Sequence, residues 1–145
     1  MNGEYPEAPY WELRGNINVS AIFSTLFTTF DNNYSLVLEL SWPQPHIATI
    51  LKKLSSATKE SKTSYKAVMY EMPLGRDIPK DLLRLAREHA GAEYCCNAFV
   101  VNKDACLLSW FDFPFEPILI SGQATDDIVR RISEKCQLSY MKKEK

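Results

Sequence analysis

Apolar side chains recur along this chain with two different periods. The helical one is clearest in residues 19–30. Val19, Ile22, Phe23, Leu26, Phe27 and Phe30 fall on one face of a 3.6-residue repeat. Asn18 precedes them where an N-cap oxygen would take an orphan backbone N–H, and Asp31-Asn32-Asn33 supplies the stop. Residues 34–42 alternate instead. Leu36, Leu38, Leu40 and Trp42 fall on one side and Ser35, Val37, Glu39 and Ser41 on the other, which predicts a strand with one core face.

The same two periods divide the remainder. Pro43 and Pro45 end that strand and open a helix whose stripe is Ile47, Ile50, Leu51 and Leu54. Residues 55–64 are polar without an apolar period and read as helix end and loop. Tyr65 to Met72 reads as a strand, residues 73–76 as a turn, and Pro79 opens a helix carrying Leu82, Leu83 and Ala86, with Gly91 placed to end it. Cys95 to Val101 and Ala105 to Phe111 flank Asn102-Lys103-Asp104 as a hairpin. Pro114 and Pro117 lack ladder donors, so residues 113–117 are not a central strand. Ile118 to Ser121 forms a short strand. Thr125 then caps a last helix, with Asp126 and Asp127 in its first turn and Ile128, Val129, Ile132 and Cys136 facing inward. Tyr10, Trp11 and Leu13 suggest a short first strand after a loose arm over residues 1–9, and residues 141–145 read as a frayed basic end.

The predicted order is β-α-β-α-β-α-β-β-β-α, an α+β class. We expect a single globular domain over residues 1–145, with a mixed sheet of about five or six strands and helices packed on it. The alternation argues for some parallel pairing and the late hairpin for antiparallel pairing.

Composition narrows the function classes. With 145 residues and 46% apolar content the chain can bury one ordinary core, which excludes a disordered chain. A net charge of −1 gives no whole-molecule attraction to nucleic acid or membrane. The lysine-rich stretch 52–66 has one aromatic and no arginine, so no nucleic-acid partner is expected. The longest weakly polar stretch, residues 19–30, is too short to span a bilayer, so no membrane association is expected. Glu4, Glu7 and Glu12 against Arg14 do not resemble a secretory leader, and Cys95, Cys96, Cys106 and Cys136 form no C-x-x-C. Together these features suggest reduced thiols and a cytoplasmic protein.

Motifs for chemistry are sparse. The five glycines are never paired at short spacing, which argues against a phosphate loop, and there is no G-x-S-x-G elbow. His46 and His89 fall on different helices without metal-ligand spacing, so neither a metal nor a cofactor is expected. Cys95-Cys96 following His89 leaves a small enzyme with a Cys/His site, His46 included, as the alternative reading.

Charge is more informative. Residues 1–50 carry five acids and one base, residues 51–66 five bases and one acid, and residues 91–127 six acids and one base. Within the last block, residues 110–117 place four aromatics beside two acids in a proline-stiffened stretch. Rings with an acidic rim suit a docking hot spot, and the acids would steer a basic partner. Trp110, Asp112, Phe113, Phe115 and Glu116 are therefore the candidate partner-binding residues. The expected function is a small protein-binding module without catalytic residues. In size, cysteine usage and acidic tendency the chain is similar to bacterial immunity proteins, a likeness of class that covers no motif. It implies an inhibitor that neutralises a basic partner such as a nuclease toxin. A second copy of the chain is the other partner left open, since an apolar strand edge can pair with itself.

Overall fold

A computed structural model describes residues 6–42, 44–60, 67–89, 97–103, 105–115 and 117–144. The elements are β1 (Tyr10–Arg14), α1 (Val19–Thr29), β2 (Ser35–Ser41), α2 (Pro45–Leu54), β3 (Ala57–Glu60), β4 (Ala67–Pro73), α3 (Lys80–Glu88), β5 (Asn97–Val101), β6 (Cys106–Trp110), β7 (Ile118–Ser121), α4 (Asp126–Cys136) and β8 (Ser139–Lys143). The eight strands form one sheet in the order β3-β4-β2-β5-β6-β7-β1-β8.

The α+β class holds, with two corrections to the sheet. It has eight described strands rather than five or six, and every described pairing is antiparallel rather than mixed. Following strand directions through those pairings gives the reason. The strands joined by each helix do run parallel, as the alternation suggests, but they are never neighbours. β4 lies between β2 and β3, β2 between β4 and β5, and β1 between β7 and β8, while β5, β6 and β7 separate β1 from β2. Each β-α-β unit is thus split by antiparallel strands from elsewhere in the chain.

Two strands have almost no apolar alternation. β3, with the sequence ATKE, is wholly exposed and falls where a loop was expected. β8, SYMKK, occupies much of the expected frayed end. Its Tyr140 meets Trp11 edge-on at 5.6 Å between ring centroids, and Lys142 lies 5.4 Å over the same indole. Trp42, expected in the core, instead follows β2 at φ 54° and is 67% exposed. Gly91 and most of the expected arm at residues 1–9 lie outside the described residues.

The helices begin and end as local chemistry requires. Asn18 accepts from Ala21 N–H at 3.1 Å to cap α1. The C-terminal end of α1 is closed from a distance, because the N–H groups of Gly75 and Arg76 both donate to Phe27 O, at 2.9 and 3.2 Å. Thr125 caps α4 through Ile128 N–H, and Gln137 ends it in the left-handed region.

All four described helices pack on one sheet face. Ile22, Phe23, Leu26 and Phe27 of α1 share a buried cluster with Ile47 and Leu51 of α2, Leu82 and Leu85 of α3, and Val129 and Ile132 of α4. The sheet contributes Leu36, Leu38 and Leu40 of β2, Val100 of β5, Trp110 of β6, and Ile118 and Ile120 of β7. Among the described residues no helix is long and apolar enough to cross a membrane.

Gly75 offers a direct test of how the β4–α3 turn meets α1. Its φ is +80°, and a Cβ there would come within 2.6 Å of the Asn32 backbone nitrogen. Gly75→Ala is expected to lose about 2–4 kcal/mol, from the positive φ and the clash together, read as a lower urea midpoint at unchanged slope.

Candidate docking face

The second sheet face is built from the other parity of the same strands. Antiparallel register places Glu71, Val37, Phe99, Ser109, Leu119, Glu12 and Met141 in one row across the sheet. Val37, Phe99, Ser109 and Leu119 in the middle of that row are buried, although none belongs to the cluster beneath the helices. Among the described elements no helix lies over them. A β-bulge between Val100 and Val101 resets the β5–β6 register. It leaves Cys106 on this face beside Ser109, its Sγ 3.4 Å from the hydroxyl.

Toward one end of β5 the face sinks into a groove of about 890 Å³. Val37, Met69, Phe99 and Val101 give it an apolar floor, and Lys59, Glu71, Asn102 and Lys103 a charged and polar rim. At the other end of β5 the polar groups are paired. Asn97 Nδ2 donates to Glu39 Oε1 at 2.7 Å, and Asn97 Oδ1 accepts from Asp112 N–H at 3.1 Å. On β1, Glu12 lies 3.4 Å from Arg14 Nε and 3.9 Å from Lys143 Nζ, so its charge is locally balanced.

The segment singled out in the sequence adjoins this face but divides between core and surface. Trp110 is fully buried and Phe113 nearly so. Phe113 stacks on Phe23 at 5.5 Å and tilts against Trp110 at 4.3 Å, so both rings are spent on the interior and present no surface to a partner. Phe115 projects, 66% exposed. Asp112 is also exposed, at φ 54°, a left-handed position that Asp and Asn tolerate better than most residues. Phe111 packs edge-on against Phe99 at 5.7 Å and so connects the loop to the groove floor. Glu116 lies outside the described residues, as do Cys95 and Cys96.

The loop owes its shape to the buried indole. Trp110 Nε1 donates to Phe115 O at 2.7 Å, and Phe115 N–H donates back to Asp112 O at 2.9 Å. A core side chain therefore holds the backbone that displays Phe115.

Both described thiols are held above their ordinary pKa by burial. Burial pushes Cys106 up from the usual 9.0, against the lowering effect of its bonds to Ser109 and Leu108 O. Burial likewise raises Cys136, opposed by Thr25, whose hydroxyl takes the Sγ–H at 3.5 Å. Tyr70 is raised by burial and then by the nearby Glu60 carboxylate. Among the described residues no group of three or more His, Cys, Asp or Glu side chains could hold a metal ion.

Sequence reasoning missed the groove. Its trace was present in the runs Ala98-Phe99-Val100 and Ile118-Leu119-Ile120, apolar on both parities, as in strands covered on both faces. No known protein family, curated protein or solved structure matches this chain.

Two outcomes follow from this geometry. Trp110→Phe removes the N–H that holds the Phe115 carbonyl and leaves a cavity where the five-membered ring was. It should cost about 2–4 kcal/mol and speed hydrogen exchange at the Phe115 amide more than at strand amides. The raised thiols and phenol keep their protons longer in the folded chain than in the unfolded one. Their stabilisation is complete below about pH 9 and is lost as pH climbs through the folded values. Urea midpoints should therefore hold up to about pH 9 and fall above it, and Cys136→Ala should flatten part of that fall.

Proposed function

We propose that this chain is a protein-binding module that receives a basic partner on its helix-free sheet face. The observation that carries this reading is the mismatch between strands and helices. Central strands β5 and β7 are apolar on both sides, yet the described helices cover one side only, and the other holds a groove with an apolar floor and charged rim. Apolar floors with polar rims are how docking surfaces divide affinity from specificity.

Phe115 serves as the projecting anchor. Ring contacts dominate binding energy where they fill a partner's pocket, and the bond from Trp110 reduces the ordering entropy that docking would otherwise cost. Asp112 beside it, with Glu39 behind Asn97, makes the loop end of the face acidic. That is the ground for a basic partner, since acids at a rim chiefly raise the association rate. The finer reading is a cytoplasmic inhibitor of a basic protein, in the manner of an immunity protein facing a nuclease toxin. The exposed Asp112 carboxylate beside Phe115 supports it.

A photo-crosslinking residue at position 115 should capture the partner in the source cell, whereas one at Arg84, exposed on the helical layer, should not. With that partner in hand, Phe115→Ala should weaken binding about 30-fold or more. Asp112→Asn, which keeps the left-handed backbone, should slow association several-fold at low salt and little at high salt. Unchanged affinity in both variants, with the fold intact, would remove the proposal.

A further inference from the structure

The chain contains two histidines, and the fold brings them together. His46 lies in the first turn of α2 and His89 at the C-cap of α3, yet their ring centroids are 6.2 Å apart with planes inclined at 50°. Their carriers are fixed from below. Ile47 and Leu51 of α2 and Leu82 and Leu85 of α3 are buried in the shared core, and His89 N–H donates to Leu85 O at 3.1 Å. His46 itself is exposed and His89 half-buried, so the pair stands at the surface over a rigid base.

We propose that His46 and His89 form a two-histidine site for a late first-row divalent metal ion, zinc above all, that clips α2 to α3. Imidazole nitrogen is a favoured ligand for zinc, nickel and copper. A metal–nitrogen bond of about 2.0–2.1 Å puts the ion roughly 3 Å from each ring centre, so two rings on one ion have centroids about 5–6 Å apart. The observed separation lies just beyond that range, and rotation of the exposed His46 side chain closes the difference. Each ring keeps its second nitrogen for a hydrogen bond that fixes the tautomer.

The surrounding field is neither hostile nor strongly favourable. The carboxyl end of α3 favours a cation at His89, and the amino end of α2 opposes one at His46. Two protein ligands leave water to complete the shell. Affinity is expected to be much weaker than that of a four-ligand structural zinc site. Binding only to the folded chain, the ion stabilises it by mass action.

The test is titration of the full chain with Zn²⁺, and separately with Ni²⁺, by calorimetry and thermal unfolding. The wild type should show one saturable site and an unfolding midpoint raised by roughly 3 °C or more at excess zinc. His46→Ala and His89→Gln should each weaken binding at least about tenfold and abolish the midpoint shift. In spectra of the wild type, Ni²⁺ should broaden the ring signals of both histidines first, a readout that needs neither variant to fold. No saturable binding up to millimolar metal, undiminished binding in both variants, or broadening centred elsewhere would each overturn the site.

Discussion

Central strands that are apolar on both sides must be shielded from water on both sides, and most of this architecture answers that demand. On one side the answer is four helices whose stripes meet Leu36, Leu38, Leu40, Val100 and Ile118 in a continuous core. At about 1.5–3 kcal/mol for each large side chain removed from water, this layer holds the fold together. On the other side Val37, Phe99 and Leu119 are shielded within the row of strand residues, and the uncovered remainder sinks into the groove. Proposed function and observed fold thus spring from the same imbalance, central strands apolar on both faces and a described helix layer on one of them.

The elements with strong apolar periods were legible in the sequence, and those held in place by their neighbours were not. α1 and α4 declared themselves through a 3.6-residue stripe and a capping side chain. β3 and β8 did not, because an exposed edge strand needs only backbone pairing with one neighbour and leaves no hydrophobic trace. Missing those two strands also removed the information needed to order the sheet. Without β3, the step from β2 through α2 to β4 resembles a simple crossover. With it, β4 becomes the strand that returns between β2 and β3.

The candidate segment shows the same limit at the scale of single residues. Composition located the aromatic and acidic groups of residues 110–115, and strand parity alone could not say which rings turn inward. The turn at Asp112 breaks the alternation, sending Phe113 onto Phe23 and leaving Phe115 outside. The face beside it was hidden for another reason. The members of its central row come from seven strands and become neighbours only through register. The histidine pair was equally hidden, since only the packing of α2 on α3 relates positions 46 and 89.

The place of β1 in the sheet has a consequence for how the chain is made. Leu13 sits opposite Ile118 on one side and Tyr140 on the other, so both neighbours of the earliest strand come from the last part of the chain. As the polypeptide emerges from the ribosome, β1 cannot take its place in the sheet until β7 and β8 have been synthesised. Its Trp11 and Leu13 stay wet through most of translation. The sheet therefore closes late, and the newborn protein carries a sticky ribbon that a chaperone could hold until β7 and β8 arrive.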